Sequence, residues 1–109
     1  MRLSEQLNPK HPLFLLAQAI DWSYFEREFV RFYRAKLGHP PKPIRLMAGL
    51  LMVQHMEGLS HERVVELWVE NPYWQHFCGF DHLQWELPIH PSSLTRWRKR
   101  LGPGGVEKI

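Results

Sequence analysis

The chain contains a single cysteine, Cys78, so no disulfide can close within it and a reducing compartment suits it. Long apolar runs are missing as well. The two most apolar stretches, residues 12–20 and 46–53, fall far short of the roughly 20 residues needed to cross a bilayer, which excludes a membrane span. Residues 1–10 carry mixed charge and no small-residue cleavage site, so no secretory signal is read and the cytoplasm is the expected location. Alternating strand patterns, internal repeats and low-complexity tracts are absent.

Familiar catalytic motifs are lacking too. There is no glycine-rich phosphate loop of the Walker kind and no Gly-x-Ser-x-Gly elbow, which removes two large enzyme classes. His61-Glu62 would open a zinc-protease helix, but Val65 stands where the second histidine belongs. His76, Cys78, His82 and His90 lie close in sequence, yet their spacing fits no common zinc pattern and supplies only one thiolate. No metal and no cofactor are expected in this chain.

What is present is enough apolar material for one core. With 109 residues, 44% hydrophobic and 13% aromatic, the chain suits one compact domain and excludes disorder throughout. Its net charge of +3 conceals a strong pattern. Residues 29–56 hold Arg31, Arg34, Lys36, Lys42 and Arg45 with no acid, a net +5. Residues 57–86 set Arg63 against Glu57, Glu62, Glu66, Glu70, Asp81 and Glu86, a net −5. Residues 87–109 return to +4 through Arg96, Arg98, Lys99, Arg100 and Lys108 against Glu107. Such separation looks polarised for a polyanion.

The periodicity is helical nearly throughout, giving an all-α class: a compact bundle of about six helices with helix-turn-helix-like elements and a basic C-terminal helix. A first helix is expected from Pro12. A second is capped by Asp21 or Ser23, with Trp22, Phe25, Phe29 and Phe32 facing the core. A third, the most buried, runs from about Pro43 to Glu57. Gly58 ends it and Ser60 caps a fourth after a sharp turn, with Val64, Leu67 and Trp68 inward and Glu62, Glu66 and Glu70 on a solvated face. A fifth spans residues 72–78, bringing Tyr73, Trp74 and Phe77 to the core. Residues 80–91 read as a loop with an extended piece at 83–87, in which Asp81 and Glu86 have no evident partner. In the last helix Ser92 or Ser93 is the expected cap, Leu94, Trp97 and Leu101 form an apolar edge, and Gly102 with Pro103 ends it. The expected domain is therefore 1–102, with 103–109 beginning a linker.

That last helix is the candidate site. Four cations in five residues without an acid repel one another and favour a polyanion, as in a recognition helix whose cations meet phosphates while Arg or Thr reaches base edges. The DNA-binding set is Ser92, Ser93, Thr95, Arg96, Arg98, Lys99 and Arg100, with the amides at Ser92 and Ser93 available to a phosphate. Arg31, Arg34, Lys42 and Arg45 are candidate phosphate contacts, although Arg31 and Arg34 could instead pair with Glu28 or the acidic block. The aromatics sit at core spacing rather than as a base-stacking platform. The acidic stripe has docking onto a basic surface as its alternative role.

Several stretches resemble one family. They are residues 15–22 with Ile20-Asp21-Trp22, PIRLMAGLL at 43–51, GLSHERVVELW at 58–68, ENPYWQHFCG at 70–79 and LPIHPSSLTRWRKRLG at 87–102. Together they look like the N-terminal region of bacterial insertion-sequence transposases, those of insertion-sequence family five and its relatives. The resemblance covers nearly the whole chain. It implies a helical region that binds the element's terminal repeats in double-stranded DNA and precedes an RNase H-like catalytic domain, whose Asp-Asp-Glu triad holds divalent metal. The sequence departs from that pattern by ending at Ile109, where the family's chain continues into the catalytic domain, and none of its acids matches the triad. The expectation is a DNA-binding domain, or truncated form, of a transposase that is not itself an enzyme. A homodimer or a catalytic-domain partner is implied. The alternative is an interaction or dimerisation module with little direct DNA contact.

Overall fold

A computed structural model describes residues 2–36 and 43–106, with side chains other than those of 25, 32–36, 97 and 100–106. The described residues form seven helices and no strand: α1 (Leu3–Gln6), α2 (Pro12–Ala19), α3 (Trp22–Lys36), α4 (Ile44–Glu57), α5 (His61–Trp68), α6 (Pro72–Phe77) and α7 (Pro91–Val106). No helix is long and apolar enough to cross a membrane.

α4 is the hub, as its composition requires. Ile44, Leu46, Met47, Ala48, Leu50, Leu51 and Val53 are all buried, so it has no wide polar face and packs against α3, α5 and α6 at once. Gly58, at φ 65°, ends it in the left-handed conformation that glycine adopts without strain. Leu59 N–H then donates back to Gln54 O at 3.1 Å, and the Ser60 hydroxyl accepts from Arg63 N–H to open α5. Val64, Val65 and Trp68 are the buried face of α5, while Glu62, Glu66 and Glu70 are exposed. Gly49 brings α6 close: an added Cβ would lie 2.7 Å from Cys78 Sγ. Burial pushes the Cys78 thiol up to about 12, partly offset by the Trp68 indole and Arg45, so it stays protonated at neutral pH.

Three helices start with one device. α2, α6 and α7 each begin at a proline, whose fixed φ suits the first turn. The residue before each proline caps the helix: His11 Nδ1 accepts from Leu13 N–H, Asn71 Oδ1 from Tyr73 and Trp74 N–H, and His90 Nδ1 from Ser92 N–H. This corrects the expected cap of α7. Ser92 and Ser93 lie inside its first turn, and His90 does the capping because the helix begins at Pro91, two or three positions earlier than those caps would place it. Asp21 caps α3 through Tyr24 N–H, whereas Ser23 lies within the helix.

The expected stop at Gly102 is also corrected, since α7 runs to Val106. An interior proline forgoes its own N–H hydrogen bond, yet the helix continues across Gly102 and Pro103. The anticipated boundary between 102 and 103 thus falls inside a helix, and residues 107–109 lie outside the described residues. α1 had no sequence signal. It has no side-chain cap of its own and is held from far along the chain. Leu3 N–H donates to Asp81 O at 2.7 Å, Ser4 N–H to Asp81 Oδ1, and Arg2 pairs with the same carboxylate at 2.8 Å. Asp81 therefore has partners, contrary to the sequence expectation.

Candidate nucleic-acid interface

α7 is anchored at its start by Ile89 and Leu94, both buried, and packs on α5 and α3. At about 100° per residue, Ser92, Arg96 and Lys99 fall on one stripe, and Arg98 falls roughly 100° to 160° away on the side nearer Leu94. The structure divides the cations accordingly. Arg96, Arg98 and Lys99 are all exposed, and among the described residues Arg96 hydrogen-bonds Ser93 Oγ, at 3.3 Å. Arg98 turns toward the end of α4, lining a groove with Met52, Met56 and Leu59. Among the described residues no carboxylate pairs with Arg96, Arg98 or Lys99. The side chain of Arg100 lies outside the described residues.

The hydroxyls are engaged within the helix. Ser92 Oγ is 2.6 Å from His90 Nδ1, Ser93 Oγ accepts from Arg96, and half-buried Thr95 donates to Pro91 O at 3.3 Å. The amides of Ser92 and Ser93 are bonded to His90.

The second basic set disperses. Arg31 is exposed and pairs with Glu28 at 3.8 Å. Arg45 turns inward instead. Its Nε donates to Phe77 O at 3.1 Å and its Nη2 to His76 O at 3.3 Å, closing the C-terminal end of α6, and its guanidinium lies 4.3 Å from the centre of the Trp22 ring. An uncharged donor could not complement that helix end as well. Lys42 and the side chain of Arg34 lie outside the described residues.

His76, Cys78, His82 and His90 do not converge: among the described residues no three metal-binding side chains gather. His76 instead stacks on Phe14, with rings parallel and 4.7 Å apart. Burial, then Arg45, holds its imidazole below the ordinary histidine value, and burial with Arg98 does the same for His61. Folding therefore favours both neutral forms. The stabilisation is full above about pH 6.5 and declines as pH falls through the lowered folded values, because the unfolded chain then binds more protons. Urea midpoints should thus fall between pH 7.5 and 5, and His76→Phe, which keeps the ring stack, should flatten the decline. A pH-independent midpoint would refute this.

One polar group that the sequence did not single out organises the loop before α7. Gln75 is fully buried. Its Nε2 donates to the carbonyls of Trp68, Val69 and Gln84, and its Oε1 accepts from Gln84 N–H at 2.7 Å. The neighbouring Trp85 is left 80% exposed. A lone glutamine in an apolar stretch has no periodic signature, so only the fold reveals this clamp.

Residues 1–100 match the family described as Transposase domain (DUF772). The chain is also 50% identical over 108 residues to a Rhizobium meliloti protein named "Uncharacterized protein ORF8 in nfe locus", covering 99% of this chain and 52% of that protein. It thus spans about half the length of that relative. No solved structure matches it.

Proposed function

Because this chain belongs to the transposase-domain family DUF772, with the match running over residues 1–100, we propose that it contributes DNA recognition to transposition, with α7 as its contact surface. The observation that carries the reading is the stripe of Ser92, Arg96 and Lys99, whose two cations are exposed and lack a carboxylate partner among the described residues. Like charges three residues apart repel along a helix, and duplex phosphate is the ligand that relieves this while releasing counterions. Arg100 extends the set by sequence, and Arg31 and Arg34 are flanking phosphate contacts. Arg98 lies to one side of the stripe, and Arg45 serves the fold. Base reading at an element's terminal repeats falls to Arg96 in this proposal, with Thr95 contributing contact through its methyl group. The chain supplies recognition and no catalytic group.

Fluorescence anisotropy with a labelled duplex across a salt series tests this. Arg96→Ala with Lys99→Ala should weaken binding and lower the slope of log affinity against log salt by about 1.8, the contribution of two phosphates. Circular dichroism should be unchanged, since both side chains are exposed. An unaltered slope sinks the assignment. A second reading, a protein-interaction module, is favoured by the apolar groove beside Arg98 and by the exposed Trp85.

A further inference from the structure

Among the described residues, two of the apolar surfaces left uncovered are of complementary form, one projecting and one concave. The projecting one is the segment at 83–87, where Leu83, Trp85 and Leu87 stand at every second position, with Trp85 80% and Leu87 53% exposed. Aromatic side chains this large dominate interface energetics when they find a pocket. The segment is also held in place. Both backbone groups of Gln84 are bonded to Gln75, and Ile89 is buried beyond it, so little ordering entropy remains to be lost on docking. The concave surface is a groove of about 840 Å³ between α2, the end of α4 and the turn into α5, within the roughly 300–1,000 Å³ of ligand-sized pockets. Leu16, Ile20, Leu51, Met52, Met56 and Leu59 line it, and methionines adapt their shape to an incoming side chain.

We propose that the segment carrying Trp85 and Leu87 seats in the α2/α4 groove of a second copy of this chain. Charge selects the occupant. The polar lining of the groove is Gln54, His55 and Arg98, with no carboxylate, while the segment carries Glu86 between its two most exposed apolar residues. An apolar floor with Arg98 at its rim accepts an apolar knob bearing a carboxylate, and that carboxylate would be repelled by duplex DNA. The chain does not fill its own groove, since none of residues 83–87 lines it. Gln75 pins the segment to the carbonyl end of α5, whereas the groove adjoins Gly58 and Leu59 at the other end, and eight helical residues separate the ends by about 12 Å. Two copies exchanging segments around a two-fold axis make this contact twice.

Sedimentation equilibrium of the whole chain from micromolar to millimolar concentration reads the proposal directly. The expected result is reversible dimerisation, with the dissociation constant raised about tenfold or more by Trp85→Ala and, separately, by Met56→Glu in the groove. Both positions are exposed, so far-UV circular dichroism should show an unchanged fold. Mixing the two variants supplies the sharper readout. The Trp85→Ala chain keeps an intact groove and the Met56→Glu chain an intact segment, so the mixture should form a heterodimer more strongly than either variant forms a homodimer. A monomer at every concentration, dimerisation indifferent to both variants, or no gain on mixing would overturn the proposal.

Discussion

Gln75→Leu is expected to lower the unfolding free energy by about 2–4 kcal/mol, because one substitution removes every hydrogen bond that the Gln75 side chain makes, while its backbone bonds to Asn71 and Phe80 remain. The side chain is fully buried, and its amide satisfies three carbonyls and one N–H. Leucine fills similar space but leaves Gln84 N–H without its 2.7 Å acceptor, and a buried unpaired donor costs about 1–3 kcal/mol alone. The loss should be local as well as global. Native-state hydrogen exchange at Gln84 should accelerate well beyond that of amides in α4, since the segment 83–87 would detach while the hub stays intact. A loss below about 0.5 kcal/mol, with Gln84 still protected, would show that the clamp is incidental.

The second large effect is expected at Gly49. Alanine in place of glycine within a helix normally gains up to about 1 kcal/mol, so propensity alone forecasts stabilisation. The crossing of α4 and α6 reverses the sign. The new Cβ would lie 2.7 Å from Cys78 Sγ and 3.3 Å from Cys78 Cα, and a buried backbone atom cannot yield as an exposed side chain can. Gly49→Ala should therefore destabilise by about 1–3 kcal/mol, and Gly49→Val by more. A double-mutant cycle isolates the cause: Cys78→Ala removes the sulfur but keeps its backbone, so Gly49→Ala should cost less in that background without becoming free. Equal losses in both backgrounds would place the strain elsewhere.

Much of the architecture was legible because it follows from punctuation. Pro12, Pro43, Gly58, Ser60 and Pro72 each mark a helix end for a local steric or hydrogen-bonding reason, and the structure places helix ends at or beside all of them. What sequence reading missed was held by long-range contacts. α1 exists because Asp81 receives its amides across 77 positions, and no local pattern encodes that. Gly102-Pro103 read as a stop because each residue opposes helix, yet the helix continues through both to Val106. The candidate site was legible as composition but not as direction. Arg96, Arg98 and Lys99 form one cluster in sequence, and only the packing of Leu94 and the groove at Met56 separates Arg98 from the other two. Arg45 looked like one more cation in a basic block, because its carbonyl partners on α6 lie more than thirty positions away.

The His90-Pro91 start of α7 also sets a rotational phase. A helix that begins at a fixed residue presents its side chains at fixed azimuths, so each residue inserted or deleted between Pro91 and Arg96 would swing every later cation by about 100° around the axis. One such change would carry Lys99 out of line with Arg96's former bearing while leaving composition and net charge untouched. The pairing of a histidine acceptor with a proline is thus an angular reference for the charged face, and sequences that diverge in this helix can keep their aim only by changing residues in place or by whole turns.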